Sequence, residues 1–450
     1  MKFLNKQFTQ ETLKLALPVM LTQVGQVSVN LFDNIIVGKL LGAKALAAVS
    51  LGNAMFFSIF IFGLGFSLAI PPLVSEAHSQ HDHNRINSIF RHGFVVNIIL
   101  AFVLMLLIFG IIPLMPYLNQ PKEILPDTIT FLSIVTLSII PFMIFQTMRE
   151  VSEGLSFTIG VTKATIFANI INVILNYVFI ENFKMGVAGS AWATFIARVA
   201  MMVFLYYVLI KEEKTRRYIK DFSLKIKDFS KEMFEKLIRL GFPTALQLFF
   251  EVTAFAGAAF ICGLISAKDI AAHQIALSMA SFTFNLCVGF SVASTVMIGR
   301  KLGEKDFINL EKVGFNNLKI AFIFMLMCGL VFILGKDVLP TFFTKKEDIA
   351  VVELASQLMI IAALFQLSDG IQVTALGCLR GIQDVKIPSI LTFIAYWVIT
   401  IPLGYYLTVP MKMGAFGMWI ALGIGLTISA VLLVIRFRNL SEKRIKAQSN

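Results

Sequence analysis

The chain has 450 residues, of which 57% are hydrophobic and only 15% charged, with a mean hydropathy of +0.80. Soluble globular domains carry nearer a quarter charged residues, so composition excludes a soluble enzyme, a disordered scaffold and a single-span receptor. The net charge of +12 would suit nucleic acid on a soluble domain, but here it collects in short loops between apolar runs.

Twelve apolar runs, each of about the ~20 residues that a helix needs to cross a bilayer, are predicted as spans. They lack the period-two alternation of a lipid-facing barrel. The first, Leu15 to Leu40, follows a lysine-bearing start with no small-residue cleavage site, so no signal peptide is expected. Within it Gln23, Gln26, Asn30 and Asp33 recur at steps of three and four, a polar stripe expected to face a wet cavity. Leu46 to Ile70, Phe94 to Leu114 and Ile129 to Phe145 follow, with His78, His81 and His83 between them; these, like His273, are expected in loops or at helix ends. Span five, Ala164 to Phe179, places Asn172 and Asn176 on one face. Span six, Val187 to Ile210, carries Thr194 and an arginine, Arg198, too deep to snorkel easily and able to neutralise Asp33.

Between Lys211 and Arg239 lie ten Lys or Arg against six acids, read as a cytoplasmic linker and topology anchor well ahead of a lipid-headgroup or nucleic-acid patch. Span seven, Leu240 to Leu264, carries Gln247 and Glu251 four residues apart. Ile275 to Ile298 and Leu318 to Leu334 follow. Span ten, Leu354 to Leu376, sets Asp369 between Gln366 and Gln372; Ile387 to Val409 and Gly414 to Ile435 complete the set. Most Lys and Arg fall in the termini and in loops after even-numbered spans, which predicts cytoplasmic termini. Cys262, Cys287, Cys328 and Cys378 stand singly and read as packing residues.

Sliding the chain on itself reveals a duplication. Leu15-Ala-Leu-Pro18 meets Leu240-Gly-Phe-Pro243, and Ala43-Lys44 meets Ala267-Lys268. Farther along, Gly65-Phe66-Ser67 meets Gly289-Phe290-Ser291, and Lys184-Met185-Gly186 meets Lys412-Met413-Gly414. The expected architecture is all-α: residues 1–210 and 237–450 as homologous six-helix lobes in parallel repeat, joined by a linker at 211–236. Six crossings return the chain to its starting side, so both lobes share one orientation.

A charge at a helix centre costs ~2.5–3.5 kcal/mol on insertion scales, which makes Asp33, Glu251 and Asp369 the first candidates for function. Oxygen-rich sites suit a proton or a hard monovalent cation. Two acids held together away from water do not ionise independently, which would let Glu251 and Asp369 exchange H⁺, Na⁺ or an organic cation. No GxxxxGK[ST] stretch is present, so an ion gradient is the expected driving force.

The residues also resemble the multidrug and toxic compound extrusion (MATE) family, in its NorM-like branch. In the second half the resemblance rests on Arg239-Leu-Gly-Phe-Pro243, Phe249-Phe-Glu-Val-Thr253, Ala271-Ala-His-Gln274, Lys301-Leu-Gly-Glu304, Asp369-Gly-Ile-Gln-Val373, Leu379-Arg-Gly381 and Asp384. In the first half it rests on Glu153-Gly-Leu155, Asn172, Asn176 and Gly186-Val-Ala-Gly189. It implies a V-shaped fold of two lobes and a secondary active antiporter exporting organic, mostly cationic, amphipathic compounds, antibiotics included, in exchange for Na⁺ or H⁺. By motif position Glu251 and Asp369 would couple the cation and could hold Na⁺. Asp33, Asn172, Asn176 and Thr194 would form a first-lobe polar site, and Gln26, Asn30, Gln247, Gln274 and Phe365 would support. Phe365 stands where some relatives place tyrosine, and Asn176 where certain proton-coupled relatives place an acid.

The expectation is thus a monomeric inner-membrane transporter, not an enzyme, with no cofactor beyond its coupling ion and no nucleic-acid partner. The alternative is a lipid-linked saccharide flippase of the same superfamily, which would favour buried Arg or Lys over acids. A non-transporting membrane receptor or assembly factor forms a third class.

Overall fold

The computed structural model describes residues 4–117, 121–225, 228–343 and 349–449. In the first half these form α1 (Lys6–Leu41), α2 (Ala43–Ser67), α3 (Ile70–Ser79), α4 (His83–Ile111), α5 (Leu125–Leu137), α6 (Ile139–Gly154), α7 (Ile159–Tyr177), α8 (Gly186–Lys211) and α9 (Glu213–Lys220). The second half supplies α10 (Lys231–Gly263), α11 (Ala267–Gly303), α12 (Phe307–Gly335), α13 (Ile349–Gly381), α14 (Lys386–Phe393), α15 (Ile401–Thr408) and α16 (Gly414–Ser449). No strand occurs among the described residues. An α-helix satisfies every mid-segment backbone group within one segment, as a lipid-exposed chain requires.

Eleven of these helical stretches are long and apolar enough to cross a membrane, and the bent pair α5 and α6 makes a twelfth. The predicted span Ile129 to Phe145 is corrected here: it is two helices meeting at 42° at Ser138. Pro141 has no N–H to give Leu137, while Ser138 Oγ bonds Val135 O at 2.5 Å, so the helical ladder is interrupted at this step. Beyond the bend α6 runs on to Gly154 through Arg149, Glu150 and Glu153, all buried. Arg149 Nε donates to Glu153 Oε1 at 2.7 Å.

The chain forms two compact units: Met1–Met20 with Leu246–Asn450, and Leu21–Ala245. Each sequence half therefore lends the start of its first helix to the other half's unit. Pro18 and Pro243 stand inside α1 and α10 two residues before these changes of unit, where the missing N–H weakens the ladder. In the first unit Leu15, Ala16 and Met20 pack with Phe290, Met297 and Met325, and Thr12 Oγ1 donates to Asn317 Oδ1 at 2.6 Å. A Cβ on Gly289 would lie 2.8 Å from Ala16 O; in the other unit one on Gly65 would lie 2.6 Å from Ala245 Cα. Only glycine admits either close approach.

The backbone repeats as the sequence does. Positive φ occurs at His81 (56°) and Lys305 (57°), Ser156 (66°) and Gln383 (64°), Lys184 (53°) and Lys412 (57°), and Gly186 (58°) and Gly414 (59°). Asp82 caps α4 through Arg85 N at 2.9 Å, and Asp306 caps α12 through Asn309 N at 3.2 Å. A π-helical turn follows α7 at Val178–Asn182 and α14 at Ile394–Thr400.

The described part of the basic linker is docked rather than free; Ile226 and Lys227 lie outside the described residues. Phe222 packs on Phe90 and Phe94, Asp228 pairs with Arg91 at 2.9 Å, and Ser230 N donates to His92 Nε2 at 2.9 Å. His92 Nδ1 faces Ser88 O at 2.7 Å, so its proton sits on Nδ1 and Nε2 is free to accept.

Candidate functional site

Each unit gathers its own polar interior. In the unit of residues 21–245, α1 brings Asp33 beside α7. Asn176 Nδ2 donates to Asp33 Oδ1 at 2.6 Å, and it stands 3.3 Å from Asn172 Oδ1. All three side chains are buried. The fourfold spacing of the asparagines on α7 makes this trio possible, because residues four apart stack on one face. Thr194 on α8 is half-buried and bonds none of the three. The α1 stripe is not uniformly open: Gln23 and Asp33 are buried, Gln26 is half-buried and Asn30 exposed.

Arg198 makes no ion pair with Asp33 within 4 Å. Its Nη1 donates to Ser138 Oγ at 2.6 Å, at the bend between α5 and α6. The guanidinium also lies 4.7 Å from the Phe56 ring centroid and 5.1 Å from that of Phe142. Two aromatic faces and one hydroxyl thus hold a charge that lipid would not tolerate. It remains close enough to Asp33 for their charges to act on each other.

In the other unit α10 places Glu251 and α13 places Asp369, both buried, with Gln247, Gln366 and Gln372. Glu251 is near enough for its charge to act on Asp369. A residue not anticipated from sequence joins them. Tyr396, fully buried in the π-turn after α14, has its hydroxyl 3.0 Å from Gln372 Oε1 and 3.5 Å from Glu251 Oε1. Its ring packs on Phe255, which packs on Phe365, which meets Trp419. Phe365 is therefore part of an aromatic wall and offers no oxygen. Gln274 is exposed on α11.

The same interior holds polar atoms without partners. Gln366 Nε2 and Oε1 and Gln372 Nε2 are buried and unbonded, at a cost of about 1–3 kcal/mol for each such group. Two carboxylates, a phenol and these amides make up an oxygen-rich set, with the amides three residues either side of Asp369. No group of three or more His, Cys, Asp or Glu able to hold a metal exists among the described residues; a cation here would use the Tyr and Gln oxygens beside the two acids.

His273, expected in a loop or at a helix end, is corrected: it lies fully buried in the second turn of α11, 5.9 Å from Trp419 by ring centroids. Burial there follows the apolar face of α11, which Ala272, Ile275 and Ala276 share. Of the three histidines before α4, His78 ends α3, His81 sits in the turn and His83 begins α4.

A family model described as MatE matches residues 18–178 and again 243–406, starting both times at the repeated proline. Multidrug resistance protein NorM of Photobacterium profundum is 31% identical over 439 residues, covering 96% of this chain and 95% of that protein. The probable multidrug resistance protein NorM of Agrobacterium fabrum is 33% identical over 445 residues, covering 97% and 94%. Among solved structures, a MATE in the bent conformation aligns with TM-score 0.89 at 20% identity, over 98% of this chain and 97% of that one. The eukaryotic MATE transporter AtDTX14 aligns with TM-score 0.87 at 17% identity, over 98% and 99%. The fold is shared with both.

Proposed function

The chain is a multi-pass membrane protein of the MatE family, and from that premise we propose that it exports amphipathic, mostly cationic compounds by secondary active antiport against Na⁺ or H⁺. The NorM relatives are named for multidrug resistance, which supports the efflux reading. The observation that carries the coupling is the burial of Glu251 and Asp369 in one unit, with Tyr396 Oη between Glu251 and Gln372 and with Gln366 and Gln372 atoms that lack partners. Carboxylate, phenol and amide oxygens can replace the water shell of a hard cation or share a proton. Each charge moved down 100 mV of membrane potential gains ~2.3 kcal/mol. Ion and substrate each weaken the other's binding, a reciprocal coupling that turns the inward ion gradient into outward export.

The charge balance supports cationic cargo over a phosphate-linked saccharide. Asp33, Glu150, Glu153, Glu251, Asp269 and Asp369 are buried, against Arg149 alone among buried Lys and Arg of the described residues. Efflux of a fluorescent organic cation from proteoliposomes, with a Na⁺ or a H⁺ gradient imposed alone, tests the proposal. Glu251→Gln and Asp369→Asn are expected to abolish gradient-driven export at equal protein levels. Export that survives both changes would overturn the coupling site.

A further inference from the structure

Helix α9 begins two residues after the span α8 ends, so it lies where that span leaves the membrane. Tyr206 and Tyr207 are half exposed at this exit, and Lys211 Nζ stands 4.3 Å from the Tyr207 ring centroid, an aromatic and basic pairing typical of a bilayer boundary. One face of α9 is anchored to its unit. Thr215 Oγ1 donates to Leu209 O at 2.6 Å, Arg216 Nε to Ile210 O at 2.9 Å, and Tyr218 Oη lies 2.8 Å from His83 Nδ1.

The opposite side carries Lys214, Arg217 and Lys220, all exposed and spaced by three, so they align along the helix. Lys214 and Lys220 pair with no acid among the described residues, and Arg217 has only an exposed contact with Asp221 at 3.8 Å. In the second half α16 continues as one helix from its span to Ser449, so among the described residues no short helix branches off there as α9 does after α8. Three aligned, exposed cations on a docked helix beside the end of a span form a surface separate from the buried acids of the transport site.

We propose that the outer face of α9 binds anionic phospholipid headgroups. Docking fixes the α9 backbone before the lipid arrives, so the ordering cost of binding is confined to the three exposed side chains. Neither free phosphate nor neutral lipid fits as well: the first lacks the acyl chains that hold a headgroup beside the apolar span, and the second lacks net negative charge.

The test is binding of fluorescently labelled phosphatidylglycerol to the full-length protein in detergent, with unlabelled phosphatidylglycerol, phosphatidylcholine or inorganic phosphate as competitor. Phosphatidylglycerol alone is expected to compete. The triple variant Lys214→Glu, Arg217→Glu, Lys220→Glu is expected to lose affinity by more than about 100-fold, because neutralising three cations at about fivefold each already gives a loss of that order. The neutral triple Lys214→Gln, Arg217→Gln, Lys220→Gln gives a smaller loss and serves if charge reversal impairs folding. Lys39→Glu, Lys44→Glu, Lys443→Glu removes the same charge elsewhere and should leave binding near wild type. Competition by phosphate, or an equal loss in the control triple, overturns the proposal, and either result leaves the efflux reading untouched.

Discussion

Replacing Tyr396 by phenylalanine removes one oxygen from the second-half site and nothing else. The ring sits 5.8 Å from that of Phe255 at 57°, and phenylalanine keeps this packing. What is lost is a 3.0 Å bond to Gln372 Oε1 and a long 3.5 Å contact to Glu251 Oε1. A neutral hydrogen bond contributes about 1 kcal/mol net, and the stretched contact to a carboxylate falls short of the ~1.5–3 kcal/mol of a well-formed charged bond. The sum is about 1–2 kcal/mol, or roughly a 5- to 30-fold change in an equilibrium constant. Transport measured against the concentration of the driving ion should show its half-saturation displaced by that factor. Binding of the organic cation without the ion should barely move. An unchanged ion dependence, or an equal loss of ion-free substrate binding, would mean that the hydroxyl serves packing alone.

Gly65→Ala places a methyl 2.6 Å from the Ala245 backbone, while Gly289→Ala meets the flexible Met20 side chain at 2.7 Å and Ala16 O at 2.8 Å. Both should lower thermal stability in detergent by at least the ~1–3 kcal/mol of an overpacked core, and Gly65→Ala the more, because its nearest contacts are all backbone whereas one of the two closest to Gly289 is a side chain; wild-type melting of either would contradict the packing described. Arg198→Met removes the Ser138 bond and both aromatic contacts, with an expected cost of about 2–4 kcal/mol from a charged bond and two cation–π contacts. Ser138→Ala, which removes only the hydroxyl, should cost less; equal effects in an unfolding titration would show that the aromatic cage contributes nothing.

Much of this organisation was legible in the sequence, because lipid simplifies it. Apolar runs mark helices, and the steps Asn172 to Asn176 and Gln366 to Asp369 to Gln372 put polar groups on shared faces without knowledge of the fold. Tyr396 was not legible. Its partners lie 145 and 24 residues away, and the π-turn around it breaks the 3.6-residue spacing on which face assignments rest. Arg149 and Glu153 were hidden for the opposite reason: their charges ended the apolar run at Phe145, although an ion pair four residues apart lets the helix carry both inward. Docking of the linker was invisible too, since His92 and Ser230 meet across 138 residues.

The duplicated backbone carries two different electrostatic designs. Positive-φ residues, cap aspartates, prolines and π-turns recur in both halves, so the path of the chain was retained. The charges were not. At the offset set by the repeated prolines, Glu251 stands opposite Gln26 and Asp33 opposite Ala258; at the offset set by Ser156 and Gln383, Asp369 stands opposite Phe142. Phe142 is one of the two rings that hold Arg198. The place taken by buried Asp369 in one unit is thus taken by part of a cation's aromatic cage in the other. A carboxylate at that position would stand beside the aromatic cage of Arg198, whereas in the second half the acid there shares a buried interior with Glu251 and with Gln366 and Gln372 atoms that lack partners. Backbone symmetry sets where the two interiors lie, and side-chain asymmetry leaves the pair of acids in only one of them.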